Sequence, residues 1–139
     1  MKKTKFIFLF ASLAFVVLGL TTQTGFSQDQ KPWDAPASAK ANKNPLKSNA
    51  DNLDVGKNLY AKHCRSCHGK SGEGDGPKAA ELKTPTGDFT TAKFQAQTDG
   101  ELFYKTNEGR DDMPSFKKKI PDSEDVWAVI LYLRTLKSK

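Results

Sequence analysis

The chain has 139 residues and a formal net charge of +6, with 22 basic residues against 16 acidic ones. Three of the lysines, Lys2, Lys3 and Lys5, fall in an N-terminal leader whose removal leaves 112 residues and a charge of about +3. A chain of that size and balance excludes a large or multidomain enzyme and a strongly basic nucleic-acid binder.

In chain order, residues 1–27 read as a cleavable signal peptide. Met1 to Lys5 is basic, and Phe6 to Leu20 is a mostly apolar run of 15 residues, short of the about 20 needed to span a bilayer. Gly25-Phe26-Ser27 places small residues where a signal peptidase cuts, and no cysteine stands there to take a lipid. Residues 28–53, rich in Lys, Asn, Ala, Ser and Pro, show no apolar period and are expected to form a flexible arm. Trp33 is the arm's one large side chain, a candidate for docking on the body or a partner.

The expected folded domain is residues 54–139. Asp54 can cap a helix running through Tyr60 toward Cys64. Gly76 to Leu82 reads as a short helical turn with Pro77 at its first position. Thr98 and Glu101 have capping-box spacing and open a helix that stops near Gly109. Asp122 caps a last helix with acids in its first turn and Arg134 near its end, the charge order that suits the helix dipole. No segment alternates strictly with period two, so the domain is expected to be all-α. A body of 86 residues is small enough that a cofactor or staple is expected to complete its core.

Cys64-Arg65-Ser66-Cys67-His68 is C-x-x-C-H, the attachment signature of c-type haem. Two thiols at this spacing on a helix end reach the two vinyl groups on one porphyrin edge, and His68 follows as the proximal iron ligand. Three other readings compete. A Cys64–Cys67 disulfide would close a tiny loop, and a thioredoxin-like pair expects a preceding strand where a helix leads in. Zinc would need His63, Cys64, Cys67 and His68 to converge on one ion, which neighbouring side chains cannot do. Met113, the sole methionine after the leader, stands between two acids and Pro114 rather than on an apolar helical face. A loop methionine followed by proline suits a sulfur held in place as the sixth ligand, and His63, beside Cys64, cannot easily reach the opposite face.

These residues resemble the class I c-type cytochrome family over about Asp54 to Thr135. Gly56 and Tyr60 stand where the family's N-terminal helix packs crosswise on its C-terminal helix, with Val129 and Tyr132 as expected partners. His68 to Pro77 looks like the glycine-rich loop of bacterial members. The resemblance implies a cytochrome c-like fold around one covalent haem c, bound through Cys64 and Cys67, with His68 and Met113 as axial ligands. It also implies that the Pro77 carbonyl accepts a hydrogen bond from the free ring nitrogen of His68. Leu82, Phe89, Phe94 and Phe116 are candidate pocket walls, and Arg110 and Lys93 candidate propionate partners.

The expected function is one-electron transfer rather than enzymatic turnover, with no small-molecule substrate and no nucleic acid. Partners would be redox proteins, a respiratory complex or a periplasmic oxidase or reductase, with at most peripheral membrane contact. The expected location is the bacterial periplasm. Two alternatives stay open: a haem subunit of a larger oxidoreductase, and a gas-sensing or peroxidase-like protein if Met113 leaves the iron free. Lys117, Lys118 and Lys119 are a candidate steering cluster for an acidic partner.

Overall fold

The computed structural model describes residues 32–138, and the expected signal peptide lies outside them. The elements are α1 (Ala37–Lys40), α2 (Ala50–His63), α3 (Arg65–His68), a 3-10 turn (Ala79–Glu81), α4 (Ala92–Gln95), α5 (Asp99–Glu108) and α6 (Ser123–Thr135). Among the described residues the β pairing is an isolated antiparallel bridge between Arg110 and Met113. The domain is all-α, as expected. None of the described helices is long and apolar enough to cross a membrane.

Side chains set the helix starts. Thr98 Oγ1 accepts the Glu101 N–H at 3.1 Å to open α5, and the Asp122 carboxylate accepts the Glu124 N–H at 2.9 Å to open α6. These are the residues expected from the sequence. α2 begins four residues before the expected cap: Asn49 Oδ1 accepts the Asn52 N–H at 2.9 Å. Asp54 then lies inside the helix and accepts from Asn58 Nδ2, one turn on.

α2 and α6 make the main interface. Tyr60, Val126, Val129 and Ile130 are the largest fully buried side chains and lie on these two helices. The helices meet at Gly56, where an added Cβ would sit 2.0 Å from the Ala128 carbonyl oxygen and 3.1 Å from Tyr132 Cβ. The expected crossing is present, with Ala128 rather than Val129 against the glycine. Tyr132 tilts against Tyr60 at 5.2 Å between rings.

Residues 32–53, expected to belong to a flexible arm, are packed on the body. Ala35 is 6% exposed. The carbonyl oxygens of Ala39 and Asn42 lie against Gly100 at the start of α5, 2.0 and 2.7 Å from where a Cβ would stand. Asn44 Nδ2 donates to the Trp127 carbonyl at 3.0 Å, Leu46 packs against the main core, and residues 50–53 are the first turn of α2. The missing apolar period misleads because most of these contacts are made by backbone carbonyls and an amide rather than by a hydrophobic face.

Arg134, near the end of α6, ties three segments together. Its guanidinium donates to Asp99 Oδ1, to the Gln95 carbonyl and to the Gln97 carbonyl. Gln95 Nε2 in turn donates to the carbonyls of Phe89 at 2.8 Å and Leu133 at 3.0 Å. Phe89 is thereby fixed, which matters for the side chain stacked upon it.

Candidate functional site

α2 delivers the site. Its last residue is His63, and Cys64 follows as both the cap of α2 and the start of α3. The Cys64 carbonyl accepts the N–H groups of Cys67 at 3.1 Å and His68 at 3.0 Å, so one helical turn holds both cysteines and the histidine. Both cysteines are free thiols, and no disulfide joins them. Burial, and then the neighbouring Cys67, pushes the Cys64 thiol up to about 12. Among the described residues no group of three or more His, Cys, Asp or Glu is placed to hold a metal ion, so the zinc reading has no geometry behind it.

The His68 ring stacks on Phe89 at 4.3 Å and 26°. Burial pulls its pKa down to about 4, so the imidazole is neutral at pH 7 and keeps a lone pair for a metal. Its Nδ1 is buried and has no hydrogen-bond partner. The expected bond to the Pro77 carbonyl is not formed in this structure. The N–H groups on either side of Pro77 bind elsewhere, Gly76 to the Cys67 carbonyl and Lys78 to the Ser66 carbonyl. Pro77 is thus laced alongside the chain that precedes His68 and stands exposed, while the ring turns onto Phe89.

The loop after His68 is fixed by glycine geometry and by a buried phenol. Gly72 has φ of 80° and accepts the Phe89 N–H at 2.7 Å, so the turn that only glycine adopts without strain also seats the stacking ring. Tyr60, 1% exposed, donates to the Gly69 carbonyl at 2.7 Å. Tyr60→Phe is expected to cost about 1–2 kcal/mol in a denaturant titration, because it leaves that carbonyl without its partner. Burial first, then Cys64, Tyr132 and Asp75, raises the Tyr60 phenol well above its ordinary value. The contribution is therefore full below about pH 10, the unfolded phenol's range, and is lost as pH climbs beyond it.

Met113 follows α5 in the chain and is half-buried. Its N–H donates to the Arg110 carbonyl at 2.9 Å and its carbonyl accepts the Arg110 N–H at 2.8 Å, closing a four-residue turn. Asp111, with φ of 51°, occupies the left-handed position that aspartate tolerates better than most residues. Asp112 accepts the Thr84 N–H at 2.9 Å and ties the turn to the chain before α4. The Met113 side chain packs on Phe116, Ile120 and Val126, a cluster that shares Phe103 with the main core around Phe89.

Residues 51–133 match the family described as "Cytochrome C oxidase, cbb3-type, subunit III". The chain belongs to this family of c-type cytochromes. Among solved structures the cytochrome is similar to a chain of the Kuenenia stuttgartiensis reducing HAO-like protein complex, at 30% identity and a TM-score of 0.61 over 68% of its own length. It spans only 47% of that chain. It is also similar to the KustC0563 c-type cytochrome, at 32% identity and TM-score 0.53, covering 60% of itself and 98% of that chain. Cytochrome CL from the marine methylotroph Methylophaga aminisulfidivorans, at 17% identity and TM-score 0.50, covers 63% of this chain and 57% of its own, and shares the fold. No curated protein matches the cytochrome.

A c-type cytochrome carries haem c and moves electrons. The residues present fit that group: two unpaired thiols and a neutral, half-buried imidazole with a buried, unpartnered nitrogen share one turn. Of the candidate pocket walls, Phe89 touches His68, Phe94 lies on Phe89 at 4.5 Å, and Phe116 packs with Met113. Lys93 is exposed, and Arg110 is paired with Asp111 at 3.1 Å. His63 meets Phe116 edge-on at 6.2 Å, and burial, Lys62 and Lys119 lower its pKa. Lys117 pairs with Glu108, and Lys119 lies over the Phe116 ring, so the lysine run is partly engaged within the protein. Gln95 and Arg134, which brace Phe89, were not legible as site residues. Capping and charge order explain Arg134 equally well without them.

Proposed function

We propose that the protein is a one-electron carrier with a single haem c held through Cys64 and Cys67, with His68 and Met113 as the axial donors. His68 carries the reading: a half-buried imidazole beside a C-x-x-C pair, stacked on Phe89 and neutral at pH 7, is placed to serve as a metal donor. Bound haem supplies a one-electron couple, and a thioether donor favours its ferrous side.

This chain's residues do the rest. The α3 turn orients His68, and the bridge to Arg110 with the Asp112–Thr84 bond holds the Met113 backbone. Gln95 and Arg134 keep Phe89 from shifting. Two donors on rigid supports let electron exchange proceed with little rearrangement. The partners are redox proteins, and the signal-like leader supports export to the periplasm. A second reading, a haem-bearing subunit of a larger oxidoreductase, is favoured by the likeness to a chain of a reducing HAO-like complex. Elution of the native protein as a small free species would favour the carrier.

The test is the visible spectrum of the haem-loaded protein in both oxidation states, repeated under carbon monoxide. The expected result is a low-spin spectrum with the weak far-red band of ferric methionine ligation, indifferent to carbon monoxide. A high-spin spectrum, or ready carbon monoxide binding, would replace the carrier with a gas-sensing or peroxidase-like protein.

A further inference from the structure

We propose that Trp33 is a positioning residue for Met113, acting through Arg110, and that residues 32–46 form the strap that carries it. The proposal rests on the reading of Met113 as an iron donor.

The strap runs along α5 in the opposite direction. Leu46 and Asn44 anchor it at the core and at the Trp127 carbonyl. The carbonyls of Ala39 and Asn42 cross Gly100 in the first turn of α5. Ala35 is buried, and Trp33 then reaches the other end of the helix. There its ring lies 4.8 Å from the Arg110 guanidinium and 5.8 Å from Lys105 Nζ, both within cation–π range.

Arg110 is the residue whose backbone pairs with Met113 on both sides. Its guanidinium is held between the Trp33 ring and the Asp111 carboxylate. The turn bearing the sulfur is therefore braced from inside by Phe116, Ile120 and Val126 and from outside by the strap. An arginine pinned at its side chain resists the backbone displacement that would carry Met113 away. Chain outside the cytochrome domain proper thereby governs how readily the sixth position opens.

The experiment compares wild type with Trp33→Ala, Trp33→Phe and Gly100→Ala as haem-loaded proteins. Gly100→Ala lifts the strap at a distance, because its Cβ would meet the Ala39 oxygen at 2.0 Å. Two readouts are taken: imidazole titration of the ferric protein, followed by loss of the far-red band, and hydrogen exchange at the Met113 amide. Trp33→Ala is expected to raise imidazole affinity and Met113 amide exchange by about fivefold, the scale of one cation–π contact. Trp33→Phe, which keeps an aromatic face, should recover most of the loss, and Gly100→Ala should move both readouts the same way as Trp33→Ala. Trp33→Ala with both readouts at wild-type values overturns the proposal, as does a rise in exchange spread evenly over the whole chain. A wild type lacking the far-red band removes the Met113 reading itself before any variant is compared, and the strap proposal falls with it.

Discussion

Gly56→Ala is expected to destabilise the protein by about 2 kcal/mol or more, although the same change in an isolated helix would stabilise it by about 1 kcal/mol. The opposed signs make the result decisive. The added Cβ would lie 2.0 Å from the Ala128 oxygen and 2.6 Å from its carbonyl carbon. Both are backbone atoms of α6, so no side-chain rotation relieves the clash and the two helices must separate. Separation loosens the packing of Tyr60, Val129 and Ile130, all about 1% exposed or less. Overpacking of a tight core costs about 1–3 kcal/mol before any lost burial is added. Against a total stability of about 5–15 kcal/mol for a domain of this kind, that is a large fraction. Chemical denaturation of the haem-loaded protein reads the effect as a lower midpoint. A raised midpoint would mean that the crossing does not depend on the missing side chain.

Met113→Ala is expected to abolish the far-red band, admit carbon monoxide to the ferrous protein and lower the reduction potential. The shift should be on the order of 0.1 V, well inside the ~0.8 V over which axial ligands set haem potentials. The truncation also removes an apolar contact with Phe116, Ile120 and Val126, worth about 2 kcal/mol in stability. Met113→Leu separates the two effects. Leucine restores about the same apolar volume and should return the denaturation midpoint close to wild type. It offers no sulfur, so the band and the potential should remain lost. If Met113→Leu kept the wild-type potential and stayed indifferent to carbon monoxide, another residue would hold the sixth position and Met113 would be a core side chain only.

Much of this molecule can be read in the chain because the relevant signals are local. The C-x-x-C-H motif depends on spacing within one helical turn, and the structure places Cys64, Cys67 and His68 on that turn. Caps at Thr98 and Asp122 bond groups two or three residues away. Gly56 announced a close helix approach because glycine inside a helix is costly unless something lies against it. The cap of α2 is Asn49 rather than the expected Asp54, because both side chains are competent caps and no local rule ranks them.

By itself, then, the sequence determined the all-α class, the family, the turn that carries Cys64, Cys67 and His68, and the principal helix crossing, each set by short-range geometry or by one unavoidable steric fact. Only the tertiary structure decided the rest. The strap over α5 is held by carbonyls at Gly100, by the Asn44 amide and by Trp33 on Arg110, contacts between residues far apart in the chain that leave no periodic trace. The same holds for His68, whose ring turns to Phe89 rather than toward Pro77. That choice depends on Gly72 and Gln95 bonding the Phe89 backbone from separate segments, with Arg134 holding Gln95 from a third. Contacts of that kind exist only once the chain has closed on itself, because each is made by groups that local propensity leaves free to point elsewhere.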